Sequence, residues 1–270
     1  MAIVNRTPDS FYDEGAAFDP ASALDRVDQA VEEGADIIDI GGVKAGYGDY
    51  VTVAEELRRT SAFVAEVRGR HPQVVVSVDT WRSEAARELC RQGAHLLNDT
   101  WAGADPALAG VAAEFGVGLV CSHTGGLGPR TDPHRVQYDD VVADVVAGTT
   151  ALAARAVEAG VRRDGVLVDP THDFGKNTYH SLEVSRRLEE VVATGWPVMV
   201  AVSRKDFVGE TLDRPVEQRL AGTLAATTVA AWQGARVFRV HDVAATRDAL
   251  RMVAAVRGDV PPLVARRGLA

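Results

Sequence analysis

Short, nearly unbroken apolar runs recur along this chain, each separated from the next by a longer stretch with helical spacing. The runs are Ala2–Asn5, Asp36–Ile40, Val74–Asp79, His95–Asn98, Val117–Ser122, Val166–Asp169, Pro197–Val202 and Val237–Val240. Strands with one wet face alternate apolar and polar residues. These do not, which marks parallel strands covered on both faces. Helical periodicity fills the stretches between them, among them Pro20–Glu33, Val53–Arg68, Ser83–Gln92, Val141–Ala159, Leu182–Thr194, Pro215–Gln233 and Ala244–Val256. Ser83 and the pair Asp105-Pro106 read as helix starts, and Gly34, Gly93, Gly116, Gly160 and Gly234 as helix stops. Eight strand–helix units of about 34 residues each predict an α/β fold, a single (β/α)8 TIM barrel with residues 1–270 as one domain. The competing architecture, an open doubly wound sheet, is disfavoured because no glycine-rich dinucleotide fingerprint follows the first strand.

Charge and cysteine usage narrow the setting. With 38 acidic against 29 basic residues the net charge is -9, which argues against nucleic acid or an anionic membrane as the main partner. An anionic substrate stays open, because the field inside a pocket can oppose the net charge. No run reaches the roughly 18 to 20 apolar residues of a membrane span. The opening MAIVNRTPDS lacks the basic and long apolar regions of a signal peptide. Two cysteines, Cys90 and Cys121, read as reduced, buried small hydrophobes, so the expectation is a cytoplasmic protein.

The polar residues directly after the apolar runs carry the chemistry. In order come Asn5, Gly41-Gly42, Asp79, Asn98-Asp99, His123, Asp169, Ser203-Arg204-Lys205 and Arg239-Val240-His241-Asp242. Taken singly, a strand-end aspartate is usually a helix cap, a lone histidine is usually structural, and Arg204 reads as an ion-pair or loop residue. A barrel brings all eight strand ends to one face, and there the set reads as a pocket. Asp79, Asn98 and Asp169 suit in-plane hydrogen bonds to a flat heterocycle. Lys205, Arg239 and His241 suit an oxygen or a phosphate, and Asn5 suits a hard cation that itself carries phosphate oxygens.

The ordered fragments Asn5-Arg6-Thr7-Pro8-Asp9-Ser10-Phe11, Ser77-Val78-Asp79-Thr80, Leu97-Asn98-Asp99, Asp169-Pro170 with Phe174-Gly175-Lys176, Ser203-Arg204-Lys205 and Arg239-Val240-His241-Asp242 resemble the dihydropteroate synthase family, from about residue 2 to residue 257. The resemblance implies a usually dimeric (β/α)8 barrel, here a homodimer. The family joins 7,8-dihydropterin-6-ylmethyl pyrophosphate to p-aminobenzoate in folate synthesis. It further implies that Asp79, Asn98 and Asp169 bind the pterin edge and Lys205 its oxygen side. Asn5 would coordinate Mg²⁺ on the pyrophosphate, with Arg239 and His241 on the same anion. Phe174 would pack on the aminobenzoate ring, and Thr7 to Gly15 would be a mobile covering loop. Lys205, Arg239 and His241 are the residues expected to act in the reaction.

The chain also departs from that family. Where the second loop normally reads GG-x-STRPG, this sequence has Gly41-Gly42-Val43-Lys44-Ala45-Gly46-Tyr47-Gly48, without the arginine that grips pyrophosphate. Lys44 lacks arginine's bidentate fork, and Gly46 is expected to loosen the loop. Thr171-His172-Asp173 stands where the family has Gly-Ile-Gly. Ala201 replaces a glycine, and Asp206 replaces a serine beside the aminobenzoate carboxylate. Ser122 and Thr124 flank His123 where a methionine is common. Arg6 replaces an aliphatic residue and Glu14 a glycine. These changes predict a divergent paralogue that keeps a pterin-type pocket, has weak or no synthase activity, and leaves p-aminobenzoate in doubt as second substrate. The alternatives are an authentic active synthase, a non-catalytic pterin-binding regulator, and a pterin-dependent methyltransferase. The TPDSF loop and the Arg239-Val240-His241 anion motif argue against the methyltransferase. Lys44, Tyr47, His172 and Asp173 are also candidates for a redesigned second-substrate pocket.

Overall fold

The computed structural model of the chain describes residues 1–7, 20–46, 48–131 and 136–268. Among them, strands and helices alternate in chain order. Strands β1 (Ala2–Asn5), β2 (Ile37–Gly41), β3 (Val75–Asp79), β4 (Leu96–Asp99), β5 (Gly118–Ser122) and β6 (Val166–Asp169) form one parallel sheet in sequential order. The short strands β7 (Met199–Val200) and β8 (Val237–Phe238) pair with each other. Single parallel bridges, Val168 to Val198 and Ala2 to Val240, join that pair to β6 on one side and to β1 on the other. The ring of the predicted (β/α)8 barrel is therefore complete, with its seventh and eighth staves held by few ladder bonds.

Helices α1 (Pro20–Glu32), α2 (Val53–Arg70), α3 (Ser83–Arg91), α4 (Leu108–Phe115) and α5 (Val141–Glu158) follow the first five strands. Then come α6 (Thr178–Arg186), α7 (Leu188–Val192), α8 (Asp206–Leu212), α9 (Leu220–Trp232) and α10 (Val243–Arg257). Strand residues such as Ile38, Val76, Leu97, Val168 and Val200 share one continuous core with helix residues such as Val27, Val64, Leu89, Val145 and Leu188. The five helix-stopping glycines all carry left-handed backbone, with φ from +65° at Gly116 to +105° at Gly160 and Gly234. Both cysteines are buried and unpaired, and burial pushes their thiols up to about 11 at Cys90 and about 12 at Cys121. No helix among the described residues is long and apolar enough to cross a membrane.

Three local expectations are corrected. Ser83 does not cap α3. Arg82 holds the cap position without a side-chain bond, and the Asp105 carboxylate reaches back to accept from the Ser83 amide at 2.8 Å while accepting from Ala107 at 3.0 Å. The helix expected over Leu182–Thr194 starts earlier, at a capping box between Asn177 and His180, and breaks at Arg187 into α6 and α7. Arg187 there binds Glu183 and Glu190 of its own segment and Asp140, the cap residue of α5. Within the expected Pro215–Gln233 helix, Val216–Gln218 is a separate 3₁₀ turn. The short helix α8 lies outside every predicted segment.

The register sets the site. Asn5, Gly41, Asp79 and Asn98 are successive Cα partners across β1 to β4, and Ser122 partners Asp169 across β5 and β6. All stand at or next to the C-terminal ends of their strands; the first four share one level, and Ser122 and Asp169 stand two residues beyond it, since Asn98 partners Val120. Behind that level, Arg204 knits the weakly paired side of the ring together. Its guanidinium makes two 2.9 Å bonds to Asp242 and further bonds to the carbonyls of Val216 and Glu217, while its amide donates to Thr223. This is the ion-pair role anticipated for it. Because removing one partner strands a buried charge, Arg204→Ala should lower unfolding free energy by roughly 3–5 kcal/mol. Urea denaturation would show this as a lower midpoint, and Arg204→Lys should recover only a minority of the loss.

Candidate functional site

A cleft of about 540 Å³ opens at the C-terminal ends of the strands. Six of the anticipated site residues line it: Asn5, Asp79, Phe174, Lys205, Arg239 and His241. The two others, Asn98 and Asp169, are buried beneath its wall, 2% and 3% exposed. The anticipated covering loop lies, except for Thr7, outside the described residues, as do Glu14 and Tyr47.

At the cleft's base Arg239 bridges two carboxylates. Its Nε donates to Asp39 at 2.6 Å and its Nη2 to Asp79 at 2.9 Å. Asp39 is fully buried in β2 and also accepts from the Ser77 hydroxyl at 2.6 Å and the Asn98 amide at 3.1 Å. Asp79 accepts further from Thr100 at 3.0 Å. Burial pushes the Asp79 carboxyl up to about 7, against the pull of the Arg239 charge and with a push from Asp39. Three ionisable groups therefore share one desolvated site, where the Arg239 charge opposes the burial cost of the Asp79 carboxyl. Asp39 was missed by the sequence reading. The available signal was a lone carboxylate inside an otherwise apolar strand, which burial makes costly unless it is paired.

Lys205 is the second cation of the cleft. Its ammonium donates to the His172 carbonyl and lies 4.8 Å from the centre of the Phe174 ring. Burial lowers its pKa, opposed by Asp173 and Asp169. The turn that supplies these partners, residues 171–176, has an unusual backbone. Thr171, Asp173 and Gly175 have φ of +53°, +68° and +62°. A β-branched residue in the left-handed region is strained, by on the order of 1–3 kcal/mol. Side-chain bonds hold it there. The Thr171 hydroxyl donates to the Asp169 carbonyl at 2.9 Å and accepts from the His123 amide at 3.1 Å. Asp173 accepts from Ser181 at 2.9 Å and from the Phe207 amide at 3.2 Å. Asp169 spends one carboxylate oxygen on the Thr171 amide at 2.8 Å, the capping role of a strand-end aspartate.

His241 is neutral in this environment, because burial drives its pKa down to about 3. It accordingly acts through neutral hydrogen bonds, one of them between Nδ1 and Ser203 at 3.0 Å. Trp101, which the sequence reading did not single out, lines the cleft edge-on to Phe174 with ring centroids 5.4 Å apart. Asp99 aims it by accepting from the Trp101 and Gly103 amides at 3.0 and 2.7 Å.

The loop after β2 is tied down. Arg59 donates to the Gly42 carbonyl at 3.0 Å, and Arg130 donates to the Gly46 carbonyl at 3.1 Å and to that of Asp49. The looseness expected from Gly46 is thus countered by arginines on α2 and on the loop after β5. Arg6 turns away from the cleft, 4.8 Å over the Phe63 ring. His172, a candidate for the second-substrate pocket, is corrected in placement. It is 1% exposed, stacked on Phe207 behind the cleft and bonded to Ser185 at 3.0 Å, while Asp173 and Lys44 do line the cleft.

Lys176 received no role in the sequence reading, yet it organises the strained turn. Its buried ammonium donates to the carbonyls of His123, Thr171 and Phe174 at 3.0–3.2 Å, and to His123 Nδ1 at 2.8 Å. Burial pushes Lys176 down to about 7 and, with the Lys176 charge, pushes His123 down to about 4. Neutral His123 accepts from Lys176 and donates through Nε2 to Asp144 at 2.6 Å.

Residues 1–241 match the family model described as pterin binding enzyme. A Mycobacterium leprae protein named inactive dihydropteroate synthase 2 is 58% identical over 274 residues, which cover 100% of this chain and 94% of that protein. The Mycobacterium tuberculosis protein of the same name is 57% identical over 274 residues, covering 100% and 86%. The crystal structure of Yersinia pestis dihydropteroate synthase with a sulfonamide drug complex matches with a TM-score of 0.91 at 35% identity, covering 96% of this chain and 94% of that one.

The lowered pKa of Lys176 has a definite sign in stability. Between about pH 7 and the unfolded value of 10.5, the unfolded chain holds the proton and the folded chain does not. Stability from this residue therefore rises with pH across that window, by up to about 1.4 kcal/mol per pH unit. Denaturant unfolding from pH 7 to 9 should show this rise, and Lys176→Met should flatten it.

Proposed function

The chain belongs to the pterin-binding enzyme family and is dihydropteroate-synthase-like. From that premise we propose that its cleft binds a dihydropterin diphosphate and that it performs the synthase reaction weakly or not at all. The retained half of the site supports binding. Asp79 and Lys205 line the cleft and Asn98 and Asp169 lie beneath its wall, a set of carboxylate, amide and ammonium suited to a flat ring with alternating donors and acceptors. Arg239, His241 and Asn5 line the same cleft for the diphosphate. The mycobacterial relatives, named as inactive, support loss of turnover.

The residues also fit a magnesium ion delivered on the diphosphate. Among the described residues no three His, Cys, Asp or Glu side chains converge as a cage. The neutral oxygen of Asn5 at the cleft wall is the kind of single protein ligand such an ion accepts when phosphates and water supply the rest. When bound, the ion would withdraw charge from the leaving diphosphate.

The observation that carries the loss of turnover is the engagement of the cleft's cations. Arg239 is bound to Asp39 and Asp79, Lys205 to the His172 carbonyl, and in the loop after β2 Gly46 stands at the arginine position with Lys44 two residues before it. Departure of a diphosphate needs cations aimed at the charge that develops, and losing one such donor commonly costs about 100- to 1000-fold in rate.

Two measurements test the reading. Pyrophosphate release from dihydropterin diphosphate, p-aminobenzoate and Mg²⁺ should run at least about 100-fold slower than with a working synthase assayed alongside. A comparable rate would overturn the loss of turnover. Calorimetry should still detect dihydropterin diphosphate, with Asp79→Asn weakening it roughly ten-fold or more, as expected for a hydrogen bond to a charged group.

A further inference from the structure

Ser122 stands inside the barrel between two of the residues assigned to the ring. Leu96, Val120 and Met199, all strand residues, form a cluster of their own, apart from the core that strands share with helices. Val120 therefore faces the interior, and Ser122, two residues further along β5, faces it too. Asp169 is its Cα partner on β6, and Asn98, the partner of Val120, stands on the other side on β4. Ser122 is 1% exposed, and its hydroxyl has no partner among the described residues. Its flanking groups are only part-spent. Asn98 uses its amide nitrogen on Asp39, and Asp169 uses one oxygen on the Thr171 amide. Space adjoins Ser122 as well, in a cavity of about 520 Å³ that shares Trp101 and Leu127 with the cleft. Adjacent strands lie roughly 4.8 Å apart, so a ring that meets both Asn98 and Asp169 crosses the inner face of β5. Ser122 is the last residue of that strand.

A buried hydroxyl without a partner favours a ligand that supplies one. Where the family commonly has a methionine, whose thioether packs on C–H groups, this chain offers a small hydroxyl that both donates and accepts. On a 6-substituted pterin the pyrimidine half presents nitrogen or oxygen along its outer edge, and C7 is the one ring carbon that carries only hydrogen. A methionine suits that carbon, and a serine suits a polar atom on it. We infer that Ser122 is a specificity-determining residue and that this chain takes a pterin-class ring with an oxygen at C7. The inference rests on the pterin reading of the cleft and narrows it.

Calorimetric titration of the full chain with 6-methylpterin and 6-methyl-7-oxopterin tests this. The 7-oxo ring should bind roughly ten-fold or more tightly, as expected when a stranded buried hydroxyl gains a partner. Ser122→Ala and Ser122→Met should each erase that preference. Urea unfolding reads the state of the hydroxyl independently of any ligand. Ser122→Ala should leave the midpoint unchanged or raise it, since no hydrogen bond is lost. Equal or weaker binding of the 7-oxo ring, a preference that survives either substitution, or a lowered midpoint in Ser122→Ala would each overturn the inference while the pterin reading stands. No binding of either ring would overturn both.

Discussion

The buried bridge from Arg239 to Asp39 and Asp79 is the contact on which the site depends. It joins residues 200 and 160 positions apart in the chain and fastens the end of β8, a strand with few ladder bonds, to β2 and β3. Three charges leave water to make it, a cost met only by close geometry and by the extra bonds from Ser77, Asn98 and Thr100. The same network places a carboxyl in the cleft and engages the guanidinium that a bound anion would otherwise claim. Stability and ligand affinity draw on one set of groups. On the function proposed above, a diphosphate would compete with Asp39 and Asp79 for Arg239, and the surplus left for binding would be smaller than the number of cations suggests.

Most of the architecture was legible because both sheet faces are covered, which leaves an apolar signal in every strand. The strand ends were legible for the converse reason, since a polar residue directly after a buried run has to be explained. Asp39 escaped because it interrupts a run instead of ending one, and its partner lies 200 residues away. Trp101 escaped because aromatic residues usually fill cores, and only the turn set by Asp99 aims it at the cleft. At the break Arg187 bonds Asp140 at the start of α5, and α8 offers its Phe207 amide to Asp173 of the cleft-lining turn, partners that periodicity within one segment cannot register.

The turn at residues 171–176 shows how a substitution can be structurally absorbed and still alter chemistry. Family resemblance places glycine at 171 and 173, and the observed φ values of +53° and +68° show why, since both positions lie in the left-handed region. Threonine and aspartate strain the backbone there, but each adds side-chain bonds that glycine could not make. A permissive segment has become a fixed one. Lys176 locks it from beneath through three carbonyls, and the fixed turn presents the His172 carbonyl to Lys205. Rigidity at this point and engagement of the cleft's lysine are one structural fact.

The pattern of partnering distinguishes a changed site from a decaying one. Substitutions that merely accumulate after a function is lost leave buried donors and acceptors stranded, at about 1–3 kcal/mol each. Here Arg6 stacks on Phe63, Thr171 and Asp173 are bonded on both sides, Asp206 pairs with Arg219, and the loop after β2 is held by Arg59 and Arg130. At the departing positions, Nδ1 of His172 and Oγ of Ser122 stand without a partner among the described residues. Both are buried away from the cleft's lining. Thr171, Asp173, Asp206 and the loop after β2 are integrated into hydrogen-bonded structure. The carboxylate, amide and ammonium set of Asp79, Asn98, Asp169 and Lys205 stays at the same end of the barrel while the groups around it are re-paired.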